Sequence, residues 1–407
     1  MKNRPDRCLE HRPPSPPQKA IRIMFPLPQA TRPRSPAVIR VERGHLPLLV
    51  ALRAVAALII VWHHYAFYGP LSDWAGPLAG DALNWLAQHA RATQVFFAIG
   101  GYVLALSLET RHWGWRETGA FIAQRYCRLG LPYLAAIAMV VLACIFARGW
   151  LPESLLGTPV SLAQFLAHLF FLQDILGYEQ LSAGLWFVCI NFQLCLIYVT
   201  LLWLRDNIGS GRIDFVGLGG WALALSSLFH FNLDAASWDS WSLYFFPYFF
   251  MGVIVHRTLS RGARYGEFWL YIATFVIAMA FEWRWRLGSA VAVGILLIVA
   301  EQSGLSARWP RNHLIARLGE ISFSLFLVHF PVLLVIATIW ARLGWNSPAA
   351  ALAGLFTAFA ASITVASAFY RWIEVPAARI SIRDFGKLRQ IIPLPWGRKT
   401  RQPVLES

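Results

Sequence analysis

The chain has 407 residues, of which 57% are hydrophobic and 14% charged, and its formal net charge is +15. Soluble domains carry about 25% charged residues, so this composition excludes a soluble enzyme and indicates an all-α, polytopic membrane protein. Because the net charge would also suit a nucleic-acid-binding protein, the distribution of basic residues has to decide between the two classes.

The two ends of the chain differ in composition from the region between them. Residues 1–45 are rich in Pro and Arg and lack apolar periodicity, which predicts a disordered cytoplasmic tail. Residues 381–407 are basic and predict a second cytoplasmic tail. The transmembrane domain is therefore expected over residues 46–380.

Ten apolar segments follow one another between these tails. Each is close to the length of about 17 to 25 residues that a bilayer core requires. The segments are 47–68, 92–108, 129–147, 185–204, 213–231, 242–256, 267–282, 288–302, 320–341 and 348–369. A further apolar stretch, 161–176, would invert every later loop if it crossed, but not if it only lies on the outer interface.

The basic residues sort onto one side of the membrane if the stretch 161–176 does not cross. In that arrangement 31 of the 36 Lys and Arg residues lie on the side that holds both termini. The positive-inside rule then predicts that both termini are cytoplasmic. The charge thus predicts membrane orientation and attraction to anionic lipid headgroups rather than nucleic-acid binding.

Arg53 and His64 stand towards opposite ends of the first predicted span, in the stretch LRAVAALIIVWHHY. Eleven helical residues place them about 20° apart around the axis and about 16 Å apart along it. His63 lies about 80° from this face and is expected to contact a neighbouring helix or lipid headgroups. A neutral, buried imidazole suits a general base acting on a hydroxyl. Interfacial anchoring of all three residues is the alternative.

The same stretch resembles the first-helix Arg-x10-His signature of the membrane-bound acyltransferase 3 family. Further segments resemble the motifs of that family in the same order, over about residues 46–380. They are QVFFAIGGYVLALSL for the second helix, FIAQRYCRLGLPY for the Arg-x-x-Arg motif, LWFVCINFQLCLIY for the fourth helix, GEISFSLFLVHFPV for the late His-x-Pro segment and FYRWIEVPAAR for the closing Ile-Glu-x-Pro signature.

The resemblance implies an O-acyltransferase in which His64 is the catalytic residue. Such enzymes transfer an acyl group, usually acetyl from acetyl-CoA, to a hydroxyl of a sugar or another extracytoplasmic acceptor. Acyl-CoA is then a co-substrate, no cofactor or metal is bound permanently, and a glycan or lipid-linked glycan is the expected acceptor. Where the family often carries Glu five residues after Trp186, this chain has Asn191, whose amide can orient a group but cannot hold a proton.

Arg125 and Arg128 lie three residues apart at the predicted cytoplasmic start of the third span, so they share a helix face. Given the resemblance, they are expected to bind the phosphates of coenzyme A, with Arg53 nearby. Anchoring by the positive-inside rule is the alternative. The sequence contains neither GxGxxG nor a Walker-type GK[ST] motif, so the donor is not expected to bind as a dinucleotide or an NTP does.

Ser322 and His329 are seven residues apart and share one face of the ninth predicted span. Glu320 lies at the cytoplasmic edge of that span, and Pro331 removes a backbone donor and loosens the helix near Leu327. We expect a polar site here in which His329 takes part in catalysis and Ser322 and Glu320 support it. A packed, hydrogen-bonded histidine is the alternative.

Three further patterns have mainly structural interpretations. Arg371 and Glu374 are spaced i, i+3 at the end of the last span and predict a local ion pair that clamps the structure. An outer aromatic belt, of which one or two members could stack on a sugar, is predicted from Trp74, Trp85, Trp150, Trp238, Trp241, Trp283, Trp285 and Trp345. Zinc, redox and disulfide sites are not predicted from the scattered Cys8, Cys127, Cys144, Cys189 and Cys195.

Two other classes of membrane protein also use histidines inside spans. A proton-coupled transporter would have inward-facing His and Arg, although no pair of Gly/Pro-broken spans recurs in the two halves of this sequence. A haem-binding cytochrome would need paired histidines on facing helices. For the acyltransferase, His64 would either deprotonate the acceptor or carry the acyl group covalently, and the sequence leaves both mechanisms open.

Overall fold

Helices build the described part of the chain. A computed structural model of the protein describes residues 47–90, 92–208, 213–262, 265–308 and 312–380. No strand occurs in these ranges, which confirms the predicted all-α class. The predicted tails, 1–45 and 381–407, lie outside the described residues.

Long helices and short connecting helices both occur in these ranges. The first eight are α1 (Pro47–Phe67), α2 (Leu71–His89), α3 (Thr93–Leu108), α4 (Trp115–Ala147), α5 (Glu153–Leu156), α6 (Leu162–Leu169), α7 (Leu185–Asn207) and α8 (Phe215–Ser226). The others are α9 (Ala235–Trp238), α10 (Ser242–Ser260), α11 (Tyr265–Phe281), α12 (Trp285–Gln302), α13 (Leu305–Arg308), α14 (His313–Glu320), α15 (Ser322–Arg342), α16 (Pro348–Phe369) and α17 (Val375–Arg379). Two π-helical turns, Ser227–Phe231 and Tyr370–Glu374, directly follow α8 and α16.

Every segment that the sequence predicts as a span is occupied by a helix. Within the described ranges, seven helical stretches are long and apolar enough to cross a membrane, so the protein is a multi-pass membrane protein. The three other predicted spans fall on α8, α10 and α11, which are shorter or less apolar. The stretch 161–176 contains only the 8-residue α6, about 12 Å long, which is too short to cross.

Two parts of the helical structure were not predicted from the sequence. Asp73 and Pro77 interrupt the apolar pattern of α2, yet this helix forms because Leu71, Ala75 and Leu83 are buried in a cluster shared with α1 and α16. The 33-residue α4 begins at Trp115 instead of near residue 129 and is about 49 Å long. The predicted arginine pair on α4 therefore lies inside a continuous helix.

Two glycines allow α3 and α10 to touch through their backbones. A Cβ atom on Gly101 would overlap the carbonyl oxygen of Phe249, and one on Gly252 would overlap that of Ala98. Small residues are the usual means by which membrane helices approach this closely. The small residues in the second predicted span thus have a packing role.

Buried apolar side chains form two large clusters, and α1 contributes to both. One cluster includes residues of α3, α7, α10 and α12, and the other includes residues of α2, α4, α15 and α16. Ala56 and Ile60 of α1 belong to the first cluster, whereas Ala57, Val61 and Tyr65 belong to the second. The helix that carries the predicted catalytic histidine is therefore packed on two sides.

Candidate active site

A hydrogen-bonded pair of histidines joins α1 to α15. His64 Nδ1 lies 2.7 Å from His329 Nε2, and the exposed fractions of the two residues are 8% and 0%. Val61 belongs to the same buried cluster as Leu325 and Val328, so apolar packing between the two helices brings the rings together. The sequence singled out both histidines, and the structure places them in direct contact.

The partners of this pair decide which nitrogen carries the proton in the neutral rings. His329 Nδ1 lies 3.1 Å from the carbonyl oxygen of Leu325. A carbonyl only accepts, so His329 donates from Nδ1 and must accept at Nε2. His64 then donates from Nδ1 and keeps a lone pair on Nε2. In this arrangement His64 is the histidine with a free basic nitrogen.

His63 makes a different contact. Its Nδ1 donates to the carbonyl oxygen of Leu86 over 3.1 Å, which ties α1 to α2. Of the two expected surroundings of His63, a neighbouring helix or lipid headgroups, this contact shows the helix, and that helix, α2, was not predicted from the sequence. The histidine of α1 that hydrogen-bonds to His329 is His64.

Arginines gather towards the other end of α1. Because α1 is unbroken, Arg53 and His64 keep the predicted shared face and a separation of about 16 Å along the axis. Arg53 interacts electrostatically with Glu374, Arg128 and Arg125, and Nε of Arg125 is buried with no hydrogen-bond partner among the described residues. These three guanidinium groups, here called the arginine cluster, have one carboxylate, Glu374, near two of them and so leave positive charge available for an anion.

Glu374 has a different partner from the one predicted. Its Oε2 accepts a hydrogen bond of 2.5 Å from Ser324 Oγ, and no ion pair with Arg371 forms within this described segment. The reason is that Tyr370–Glu374 forms a π-helical turn. This turn is wider than an α-helical one, so residues three apart in it do not share a face. Arg371 is exposed at the surface.

Ser322 and Glu320 lie away from the histidine pair. Ser322 is the first residue of α15, and its Oγ donates to the carbonyl oxygen of Gly319 over 2.8 Å. Glu320 pairs with Arg317 at 3.3 Å, and both side chains are about half exposed. The two predicted supporting residues therefore stabilise the junction between α14 and α15, about 10 Å along the helix from His329.

A cavity of about 940 Å³ opens beside His64. Its walls come from the ends of α1 and α4, the start of α7 and the segment 154–183, all away from the arginine cluster. Its volume is within the range of small-molecule binding sites, about 300 to 1,000 Å³. The side chains that line it near the histidine include His63, Tyr68, Trp186, Phe245 and Phe330.

The segment 154–183 supplies lining residues that were not predicted from the sequence. Asp174, Gln180 and Ser182 all face the cavity, and burial raises the pKa of Asp174 to about 6. His168 anchors this wall, because its Nδ1 accepts from Tyr133 Oη of α4 over 2.7 Å and its Nε2 lies 3.3 Å from the carbonyl oxygen of Glu179. The only signal in the sequence that could have indicated these lining residues is their position as polar residues between two apolar stretches.

Trp186 and Asn191 occupy different environments on α7. Trp186 lines the cavity and packs against Phe245, with ring centroids 5.3 Å apart. Asn191 is not among the cavity-lining residues, and its Oδ1 lies beside Gly100 of α3. Asn191 therefore lies at a contact between α7 and α3. It does not reach the cavity, so the absence of a carboxyl group at this position removes no proton carrier from the cavity.

The histidine pair is arranged for hydrogen bonding rather than for shared metal binding. Two nitrogens that ligate one metal ion each lie about 2.0 to 2.1 Å from it, so their separation exceeds the observed 2.7 Å. Within the described ranges, no group of three or more His, Cys, Asp or Glu side chains is placed to hold a metal ion.

A bundle of apolar helices with a buried histidine pair, an arginine cluster and a large cavity defines an integral membrane protein with a polar internal site. Residues 49–370 match a family model described as the acyltransferase domain of acyltransferase 3. The chain belongs to this family of membrane acyltransferases, as its motifs predicted. Neither a search of curated proteins nor one of solved structures gave a match.

Proposed function

We propose that this membrane acyltransferase transfers an acyl group, in the simplest case acetyl, from acyl-CoA to a hydroxyl of a cell-surface or periplasmic glycan. The observation that carries the proposal is the 2.7 Å hydrogen bond between His64 and His329, which leaves a lone pair on His64 Nε2 beside the cavity. Membership of the family supports acyl transfer in general.

In the proposed reaction His64 is the general base. Its Nε2 takes the proton of the acceptor hydroxyl as the hydroxyl oxygen attacks the thioester carbonyl. The carbon–sulfur bond then breaks, and the imidazolium returns the proton to the departing sulfur of CoA. His329 accepts from His64 Nδ1 throughout, which holds the ring in one tautomer and stabilises its charged form.

A covalent acyl-histidine intermediate would use the same lone pair of His64. The acyl group would first move from sulfur to Nε2 and then to the acceptor oxygen. Rapid quenching followed by mass measurement of the intact protein distinguishes the two routes. A transient mass increase of one acyl group supports the covalent route, and its absence during turnover supports direct transfer.

The arginine cluster is the proposed binding site for the phosphates of acyl-CoA. Guanidinium groups bind phosphate through paired, charge-assisted hydrogen bonds, and the buried Nε of Arg125 has no partner in the part of the chain that the structure describes. From there the pantetheine arm would follow α1 towards His64, about 16 Å from Arg53. Glu374 lies near Arg53 and Arg128, and we assign it to positioning these side chains in the absence of donor.

We place the arginine cluster on the cytoplasmic side of the inner membrane, where acyl-CoA is made, and the cavity towards the periplasm. The support is the predicted topology of ten spans with both termini inside, based on 31 of 36 basic residues. Reporter fusions after Arg205 and Arg257 should then be cytoplasmic, and one after Trp238 periplasmic. A periplasmic reporter after Arg205 would overturn this topology.

The function can be tested by following CoA release from acetyl-CoA with the purified full-length protein and envelope glycan from the producing cells. Wild-type protein should release CoA and acetylate the glycan, and His64→Ala should lose at least about 100-fold in rate. The matched control is His89→Ala, an exposed histidine away from the cavity, which should keep the wild-type rate. Glycan uptake into proteoliposomes without CoA release would instead support the transporter class.

A further inference from the structure

One wall of the cavity carries polar atoms whose hydrogen-bonding capacity is unused. Asp174 Oδ1 accepts from Gln180 Nε2. Asp174 Oδ2, Gln180 Oε1 and Ser182 Oγ are buried and meet no hydrogen-bond geometry among the described residues, although the Cys189 thiol interacts with the Asp174 carboxylate. All three residues line the cavity. One carboxylate oxygen, one amide oxygen and one hydroxyl thus lie just beneath the cavity surface, where rotation of these side chains would turn them towards a ligand.

The burial of these atoms points to a ligand. Ser182 is only 4% exposed, and buried polar groups of native proteins nearly always have a hydrogen-bond partner. The carboxylate and amide oxygens accept hydrogen bonds, and the serine hydroxyl both donates and accepts. This combination matches a molecule with several hydroxyl groups, each of which also donates and accepts.

An aromatic surface lies in the same cavity. Trp186 is partly exposed there and is braced by Phe245, with ring centroids 5.3 Å apart. The face of an aromatic ring carries partial negative charge, so it attracts the weakly positive C–H groups of a sugar ring. The cavity thus contains both elements that a pyranose ring requires, which are acceptors for its hydroxyl groups and a flat aromatic face.

The charge of the lining indicates which kind of sugar fits. Three carboxylates, from Asp174, Glu179 and Asp239, face the cavity together with two guanidinium groups, from Arg148 and Arg286. Arg286 also donates to the hydroxyl of a tyrosine over 3.2 Å, which occupies part of its donor capacity. A neutral sugar is therefore favoured over one that carries a carboxylate or sulfate group.

We propose that Asp174, Gln180, Ser182 and Trp186 form the acceptor subsite of the enzyme and that this subsite binds a neutral pyranose ring. The role of the subsite in catalysis rests on the proposed acyl transfer to a glycan. Sugar binding itself can be measured without any acyl donor. His168 holds the wall against α4 through Tyr133, so sugar binding requires rotation of the Asp174, Gln180 and Ser182 side chains and not movement of the wall.

The test is to measure sugar binding to the purified full-length protein by saturation-transfer NMR. The probes are the methyl glycosides of glucose, galactose, rhamnose and N-acetylglucosamine, with methyl glucuronide as the anionic comparison. At least one neutral glycoside should bind, and more tightly than the glucuronide. Asp174→Ala and Ser182→Ala should each weaken that binding by about tenfold, and the exposed, matched control Asp234→Ala should not change it.

Three results would overturn the subsite. They are no binding of any neutral glycoside, tighter binding of the glucuronide, or unchanged affinity in both the Asp174 and Ser182 variants. Ser182→Ala removes a single hydroxyl, so it keeps the test decisive if Asp174→Ala does not fold. CoA release by the wild-type protein is measured in parallel. Its absence would refute the proposed function, whereas unaltered sugar binding in the variants alongside active CoA release would refute only the subsite.

Discussion

Replacement of His329 tests whether this residue orients His64 or transfers the proton itself. His329→Leu removes the acceptor for His64 Nδ1, which lies 2.7 Å away at a fully buried position. A buried donor without a partner costs about 1 to 3 kcal/mol. If this cost destabilises the orientation of the His64 ring that is needed for catalysis, kcat/KM should decrease by about 5- to 150-fold.

His329→Gln separates the two roles, since its amide oxygen can accept from His64 Nδ1 and its amide nitrogen can donate to the carbonyl oxygen of Leu325. Glutamine cannot transfer a proton as a base. A positioning role therefore predicts that His329→Gln keeps kcat/KM within about tenfold of wild type and well above the leucine variant.

The assay is the initial rate of CoA release at varied acetyl-CoA and glycan concentrations, with thermal unfolding as the measure of folding. A matched control is His256→Gln, because His256 is also a largely buried histidine but pairs with Glu109, at 2.9 Å, away from the cavity. This control should keep the wild-type kcat/KM. If folded His329→Gln is as inactive as His64→Ala, His329 itself transfers the proton and the assignment of roles is refuted.

Three further predictions concern donor binding and stability. Arg125→Ala or Arg128→Ala should weaken acetyl-CoA binding, measured by calorimetry, by roughly ten- to a hundredfold, with the affinities of the lysine variants in between. If both alanine variants bind acetyl-CoA with wild-type affinity, the donor does not bind at the arginine cluster. Burial alone would raise the pKa of Asp214, but hydrogen bonds from a buried guanidinium group on α10 hold it well below its usual range. Asp214→Asn should therefore lower stability by about 1 kcal/mol at neutral pH, allowing for the partial exposure of this carboxylate. The difference should begin to shrink as the pH falls below about 3.8, the ordinary pKa of aspartate, and should vanish only below the lowered pKa of the folded protein. A thermal unfolding series in which both proteins unfold alike at pH 7 would contradict this prediction. Gly252→Val should lower the unfolding temperature far more than Gly266→Val, whose side chain would meet open space, and equal shifts would refute the close helix contact.

The sequence predicted those features that depend on residues close together in the chain. The apolar run of α1 marks a helix, and the spacing of Arg53 and His64 within it determines their shared face without reference to any other helix. The order of short motifs identified the family, which the family model confirms over residues 49–370. The same local reasoning singled out His329, although it could not tell which side chain this residue would contact.

Contacts between distant segments could not be predicted in this way. His64 and His329 are 265 residues apart, and their contact depends on how α1 packs against α15. Ser322 shares a helix face with His329, as predicted, but its hydroxyl bonds to the carbonyl oxygen of Gly319, which lies within reach at the end of α14. Likewise, the π-helical turn that separates Glu374 from its expected partner has no signal in the spacing of charges.

The packing of α1 on two sides has a consequence for the choice of donor. Ile60 belongs to one buried cluster and its neighbour Val61 to the other. Packing on both sides keeps α1 from bending or breaking, so the distance of about 16 Å along its axis between Arg53 and His64 is fixed. A donor held by its phosphates on the arginine cluster must therefore carry its reactive carbonyl on an extended arm, as acyl-CoA does. A small acyl thioester without the nucleotide would reach His64 only by diffusion and would lose the high effective concentration that anchoring gives. Contacts with the remote phosphates would thus increase the rate at the reacting carbonyl as well as the affinity for the donor.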